Sequence, residues 1–258
     1  MRRFAIAFAL TAIAVTSLPL AGAAVHQEEG LRVAFDASIS PRALPRDRPA
    51  PITVRLGGSI ATVDGSRPPA LEELSIAVNR AGRLSTKGLP TCTASVLQQT
   101  STEAALAACP GALVGHGTFG ASVDFPDAPQ IPAKGKVLVF NARVKGRPGM
   151  LLHLYGTSPV RAAFVLPFEV SPVPHGKFGM VFSTRIPTLA SGLGYITELQ
   201  LRIGRRYGFD GKRRSFLSAN CAAPSGFTVG LFELARATFS FSDGREVVGG
   251  PSRVCRVR

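Results

Sequence analysis

Tryptophan is absent from this chain, and its 258 residues include only four cysteines, three methionines and three tyrosines. No Gly-x-Ser-x-Gly element occurs, so the strand-to-helix elbow of an α/β-hydrolase nucleophile is missing. His26, His116, His153 and His175 stand apart from one another, without the spacing on helix or hairpin that a metal site uses. Acidic residues number 16, which leaves little for a glycosidase carboxylate pair. Glu169, inside an apolar segment, and Glu198, beside Leu199, are the least comfortable of them. Asp64, Asp210 and Asp243 have a sufficient role as turn residues. No cofactor motif and no long helical periodicity occurs, and no second long apolar run follows residue 20.

The first such run is informative. Met1-Arg2-Arg3, an apolar stretch from Phe4 to about Leu20 and then Ala21-Gly22-Ala23-Ala24 form a secretory signal over residues 1–24, cut after Ala23 or Ala24. An uncleaved anchor is the competing reading. The remainder, residues 25–258, is expected to be secreted and extracytoplasmic, without a transmembrane segment. Its four cysteines suit an oxidising compartment. Three pairings are possible, and nearness in sequence favours Cys92 with Cys109 and Cys221 with Cys255.

Glycine and proline, 27 and 20 residues, punctuate short alternating segments. Leu31 to Ile39, Ile52 to Leu56, Leu74 to Val78, Phe119 to Phe125 and Leu199 to Ile203 all show the two-residue period of half-buried strands. Gly146-Arg147-Pro148-Gly149, Asp210-Gly211 and Asp243-Gly244 read as turns between strands. Pro167 marks a bulge or an edge within Val160 to Val170. A dozen short strands predict an all-β, sandwich-like fold. Phe125 to Gly135, with Pro126, Pro129 and Pro132, marks a boundary near 126–135, either between two domains or between the sheets of one.

One helix is expected. Thr100-x-x-Glu103 has capping-box form, Ala104 to Ala108 favour helix, and Cys109-Pro110-Gly111 ends it. So short a helix needs tertiary support, which a Cys92–Cys109 bridge around it would supply.

The segments Ala61-Thr-Val-Asp-Gly-Ser-Arg-Pro-Pro69, Gly88-Leu-Pro-Thr-Cys92, Ala112-Leu-Val-Gly-His-Gly117, Phe140-Asn141, Arg214-Ser-Phe-Leu-Ser-Ala-Asn-Cys221 and Phe239 to Gly244 resemble a group of exported actinobacterial β-rich proteins to which no function is assigned. The resemblance implies an exported, disulfide-containing protein and supplies no catalytic residues.

Lysine and arginine total 30 against 16 acids, a formal charge of +14. Six of these cations, Arg202, Arg205, Arg206, Lys212, Arg213 and Arg214, fall on one expected hairpin with Tyr207 and Phe209 between them. Guanidinium forks bind phosphate or carboxylate, and aromatic faces stack on sugars or bases. A solvated hairpin whose charge protects a sheet edge is the alternative. These residues predict a non-catalytic protein associated with the cell envelope or another anionic polymer, not a sequence-specific reader of nucleic acid. A carbohydrate-active enzyme with an unidentified carboxylate pair and a self-assembling surface protein are the other readings.

Overall fold

The structure, a computed structural model, describes residues 24–28, 30–125, 129–159 and 161–258. The expected leader lies, apart from Ala24, outside the described residues. In chain order the first strands are β1 (Ala24–Glu28), β2 (Leu31–Ser40), β3 (Ala43–Leu44), β4 (Ala50–Pro51), β5 (Thr53–Thr62), β6 (Leu71–Asn79) and β7 (Gly82–Leu84). Two short helices follow, α1 (Ala94–Leu97) and α2 (Thr102–Ala108). Beyond them run β8 (Leu113–Val123), β9 (Ile131–Val144), β10 (Arg147–Gly156), β11 (Ala162–Pro172), β12 (Phe178–Arg185) and β13 (Gly194–Ile203). The last part holds β14 (Arg206–Phe209), β15 (Lys212–Ser215), β16 (Leu217–Ala219), β17 (Val229–Glu233), β18 (Ala235–Phe241), β19 (Glu246–Gly249) and β20 (Ser252–Val257).

The fold is all-β, and its disulfide-closed loop holds two short helices where one is expected, since α1 is a single turn too short to show a helical period. Its main sheet has 12 antiparallel strands in the order β1-β2-β5-β13-β8-β9-β10-β11-β12-β6-β18-β19. The two end strands meet, and a methyl group on Gly249 would collide with the His26 ring. The sheet is therefore a nearly closed barrel. The two facing layers expected of a sandwich are opposite walls of one curled sheet, because alternation buries an inner face in either arrangement. β8 and β9, which flank the 126–135 boundary, pair directly with each other. Residues 126–128 themselves lie outside the described set.

Strand periodicity decides what points inward. Leu31, Val33, Phe35, Ala37 and Ile39 of β2 are all buried, with their neighbours more exposed. Across the ladder they face inward-pointing Val54, Leu56 and Gly58 of β5, then Leu199, Leu201 and Ile203 of β13. β9 and β10 are buried on both faces. Val137, Val139, Leu152 and Leu154 join the barrel core. Leu138, Phe140, Ala142 and Leu151 face outward into a second core with Leu97 and Ala105 of the helices.

The cysteine loop is thus a cap on the outside of the barrel. Cys92 pairs with Cys109 and Cys221 with Cys255, as sequence proximity favours, at Cα separations of 5.8 and 5.7 Å. The helix begins one residue later than the capping box implies: Ser101 Oγ accepts from the Ala104 amide at 3.2 Å. Thr100 is released for another task, donating to the Leu97 carbonyl at 2.8 Å. Asn141, wholly buried, donates to the Pro90 carbonyl at 2.8 Å, and its own carbonyl accepts from the Cys92 amide at 2.9 Å. The segments Gly88 to Cys92 and Phe140-Asn141 are in this way fastened to each other.

Turn chemistry sets the hairpins. Lys145-Gly146 and Asp210-Gly211 have φ of 49°, 77°, 55° and 65°, the left-handed pair that suits a two-residue connection. The first turn is therefore tighter than Gly146 to Gly149 suggests, and Arg147 to Gly149 already belong to β10. Pro167 lies in β11 where that strand pairs with β10 alone, so its missing N–H breaks no ladder.

Candidate functional site

A barrel of eight strands is about filled by its own side chains, and wider ones leave space. Here 12 strands enclose an apolar chamber of about 160 Å³. Phe35, Leu56, Ile76, Leu152, Phe168, Phe182 and Phe239 line it from opposite walls. Small inward residues, Ala37 and Gly58 among them, widen it. A second space of about 80 Å³ adjoins it, sharing Leu154, Leu166 and Ile196. An apolar cavity of about 150 Å³ stays dry and takes up benzene, so the larger chamber alone suffices for a small hydrocarbon group.

The ends of this lumen differ. β7 and β16 border it at one end through Gly82, Arg83, Leu217 and Ala219. At the other, Leu189 and Ala190 cover the smaller space, together with Ser158 and Pro159. Arg67 holds that cover in place by donating to the Gly192 carbonyl and stacking over the Tyr195 ring at 5.5 Å. The wall has a seam as well. β11 and β12 pair only through Glu169 to Pro172 against Met180 to Ser183. Leu166, Phe168 and Ile186 of the lumen lining lie beside the unpaired part. Sequence reasoning did not find this site, because every residue in it reads as ordinary core; only the strand number shows that the core is not full.

The basic hairpin divides. β14 and β15 place Tyr207, Phe209, Lys212 and Arg214 on one side, Arg206 and Arg213 on the other. Arg205 is spent internally, its guanidinium donating to the carbonyls of Gly111 at 2.7 Å and Leu113 at 2.8 Å. Tyr207 donates to the Lys87 carbonyl at 2.9 Å. Phe209 covers Gly88, where a Cβ would sit 2.2 Å from its ring. Arg214 lies over Phe209 at 5.5 Å. The expected stacking platform thus packs onto the segment leading to Cys92. Arg202, Arg206, Lys212 and Arg213 remain exposed, and none forms an ion pair among the described residues. Arg202 is instead directly opposite Arg55 and His116 on the outer face of β5, β13 and β8.

The two uncomfortable carboxylates do not meet. Glu169 pairs with Lys145 at 2.6 Å, and Glu198 accepts from Gln200 at 3.2 Å. Four strand steps, about 19 Å along the sheet, separate β11 from β13, beyond the roughly 5–9.5 Å of glycosidase pairs. Glu233, bonded to Arg236 and Lys177, has its acidity strengthened. Burial opposes the ionised form there, and the two cations outweigh it.

His153 is fully buried beneath the helical cap. Its Nε2 donates to the Thr100 carbonyl at 3.0 Å, while Nδ1 has no partner among the described residues. Burial pushes its pKa below the ordinary value, the Thr100 bond opposing in part. No group of three or more potential metal ligands occurs among the described residues, and no helix there is long and apolar enough to cross a membrane. In comparisons with known proteins, no family model, no curated protein and no solved structure matches the chain.

Proposed function

We propose that this protein is a non-catalytic, exported β-barrel that holds an apolar molecule, an alkyl or isoprenoid chain, in its lumen. The observation that carries the reading is the chamber of about 160 Å³ bounded almost wholly by hydrocarbon side chains. Two disulfides and the N-terminal leader sequence support export. A chain-like ligand suits two adjoining spaces that share Leu154, Leu166 and Ile196, and the β11–β12 seam and the cover at Leu189 to Gly192 are its routes of entry.

The test is titration of the oxidised protein with a series of n-alkanols, read by calorimetry and by Tm. Each buried methylene contributes about 0.8 kcal/mol, so affinity should rise roughly fourfold per carbon until the lumen is full, then level off. Affinity that is independent of chain length sinks the reading.

A second reading, association with an anionic envelope polymer, is favoured by the row of Arg55, Arg202 and His116 on the outer face. Its test belongs at Arg202 and Arg206, since reversal at Arg205 would break the bonds to Gly111 and Leu113. Arg202→Glu/Arg206→Glu should abolish salt-sensitive co-sedimentation with envelope fractions. Binding unchanged in that variant removes the reading.

A further inference from the structure

Away from the lumen, β17 forms the edge of a three-stranded sheet in the order β17-β20-β3. Its alternation places Gly230 and Phe232 against the core and Val229 and Leu231 outward. Leu231, 72% exposed, is directly opposite Val254 of β20, 48% exposed. Phe227, 63% exposed, stands just before this strand.

Large side chains held in water at this density are unusual on a soluble surface, and this group is rigidly presented. Arg46 donates to the carbonyls of Ala223, Pro224 and Phe227, the last two at 2.8 and 2.6 Å. The Phe227 amide closes a turn onto the Pro224 carbonyl at 3.1 Å. The Cys221–Cys255 disulfide ties the start of this loop to the middle of β20.

The rim is cationic. Arg256 lies opposite Val229 in the ladder, and its amide bonds to the Arg42 carbonyl at 3.0 Å. Arg42, Arg256 and Arg258 are all exposed. Glu233, the acid on β17, is already engaged by Lys177 and Arg236.

We infer that the β17–β20 face is a docking surface for an anionic lipid bilayer, with Phe227, Leu231 and Val254 entering the acyl boundary and Arg42, Arg256 and Arg258 at the headgroups. Apolar side chains bordered on one side by arginine suit such an interface. The same charges oppose the alternative of a second copy, because two identical faces would bring Arg256 toward like charge.

The experiment is co-flotation of the full, oxidised protein with vesicles of phosphatidylglycerol and phosphatidylcholine, and with phosphatidylcholine alone, over a salt series. Flotation is expected with the anionic vesicles and is lost at high salt. Phe227→Ser/Leu231→Ser should reduce it by at least tenfold with Tm and n-alkanol binding unchanged. Arg42→Gln and Arg256→Gln should each weaken it roughly fivefold. Equal flotation with both vesicle types, or with the serine variant, overturns the proposal. Light scattering that shows a dimer abolished by Leu231→Ser also overturns it, assigning the face to self-association. Because these side chains point away from the lumen, the result is independent of the apolar-ligand reading.

Discussion

Asn141 and His153 are the two polar side chains most deeply set beneath the cysteine loop, both wholly buried. Each is held to backbone: Asn141 to the carbonyl before Thr91, His153 to that of Thr100. A buried neutral imidazole gives a definite pH dependence. The unfolded chain takes up a proton as pH falls through about 6.5, while burial lowers the pKa in the folded protein. Stability from this residue is therefore fully present above about pH 6.5 and declines as the pH drops toward the folded value. Urea unfolding at pH 7.5 and pH 5.5 should show the loss, and His153→Gln should remove that part of it. Neither role is visible in the sequence, where His153 is one of four scattered histidines and Asn141 lies in an apolar run.

At the scale of elements, α1 and α2 are far too short to persist alone and are held by the 17-residue separation that Cys92–Cys109 closes. Replacing both cysteines with alanine should cost about 3 kcal/mol, measurable by denaturant unfolding, and should expose amides of α2 to hydrogen exchange before those of β9 and β10. If the helices stay protected, the apolar contacts of Leu97 and Ala105 with β9 and β10 hold the cap by themselves. The β14–β15 hairpin illustrates why a linear cluster is not a surface. Its Asp210-Gly211 turn was legible from local chemistry, but ladder register sends Arg206 and Arg213 to the face opposite Lys212 and Arg214. Arg205 lies before the strand and bonds backward to Gly111 and Leu113, just beyond Cys109.

For the molecule as a whole, strand number is the quantity from which the proposed function follows. Twelve strands around one axis leave unfilled volume that inward alanine and glycine enlarge. Gly58 is a suitable place to remove it, since a Cβ there makes only an ordinary contact, 3.5 Å from the Ala34 carbonyl. Gly58→Leu should abolish n-alkanol binding while Tm holds or rises, as expected when a cavity is filled. Unchanged alkanol affinity in a folded Gly58→Leu protein would place the ligand elsewhere.

Alternation in Leu31 to Ile39 and Leu199 to Ile203, the glycine turns and the even cysteine set were enough to determine an all-β chain, to favour these two bridges among three pairings and to place α2 between Cys92 and Cys109. All of these depend on residues near one another in the chain, where backbone sterics and a two-residue period act directly. Whether the strands form two layers or one curled sheet was decided only in three dimensions, by pairings such as β5 with β13 and β6 with β18 that join distant segments. The same long-range pairing decided that Arg205 would be consumed as a structural donor, that Phe227 and Leu231 would stay in water, and that an apolar core would enclose a space. An inward-facing leucine looks the same in sequence whether its neighbour across the barrel touches it or leaves room for a ligand.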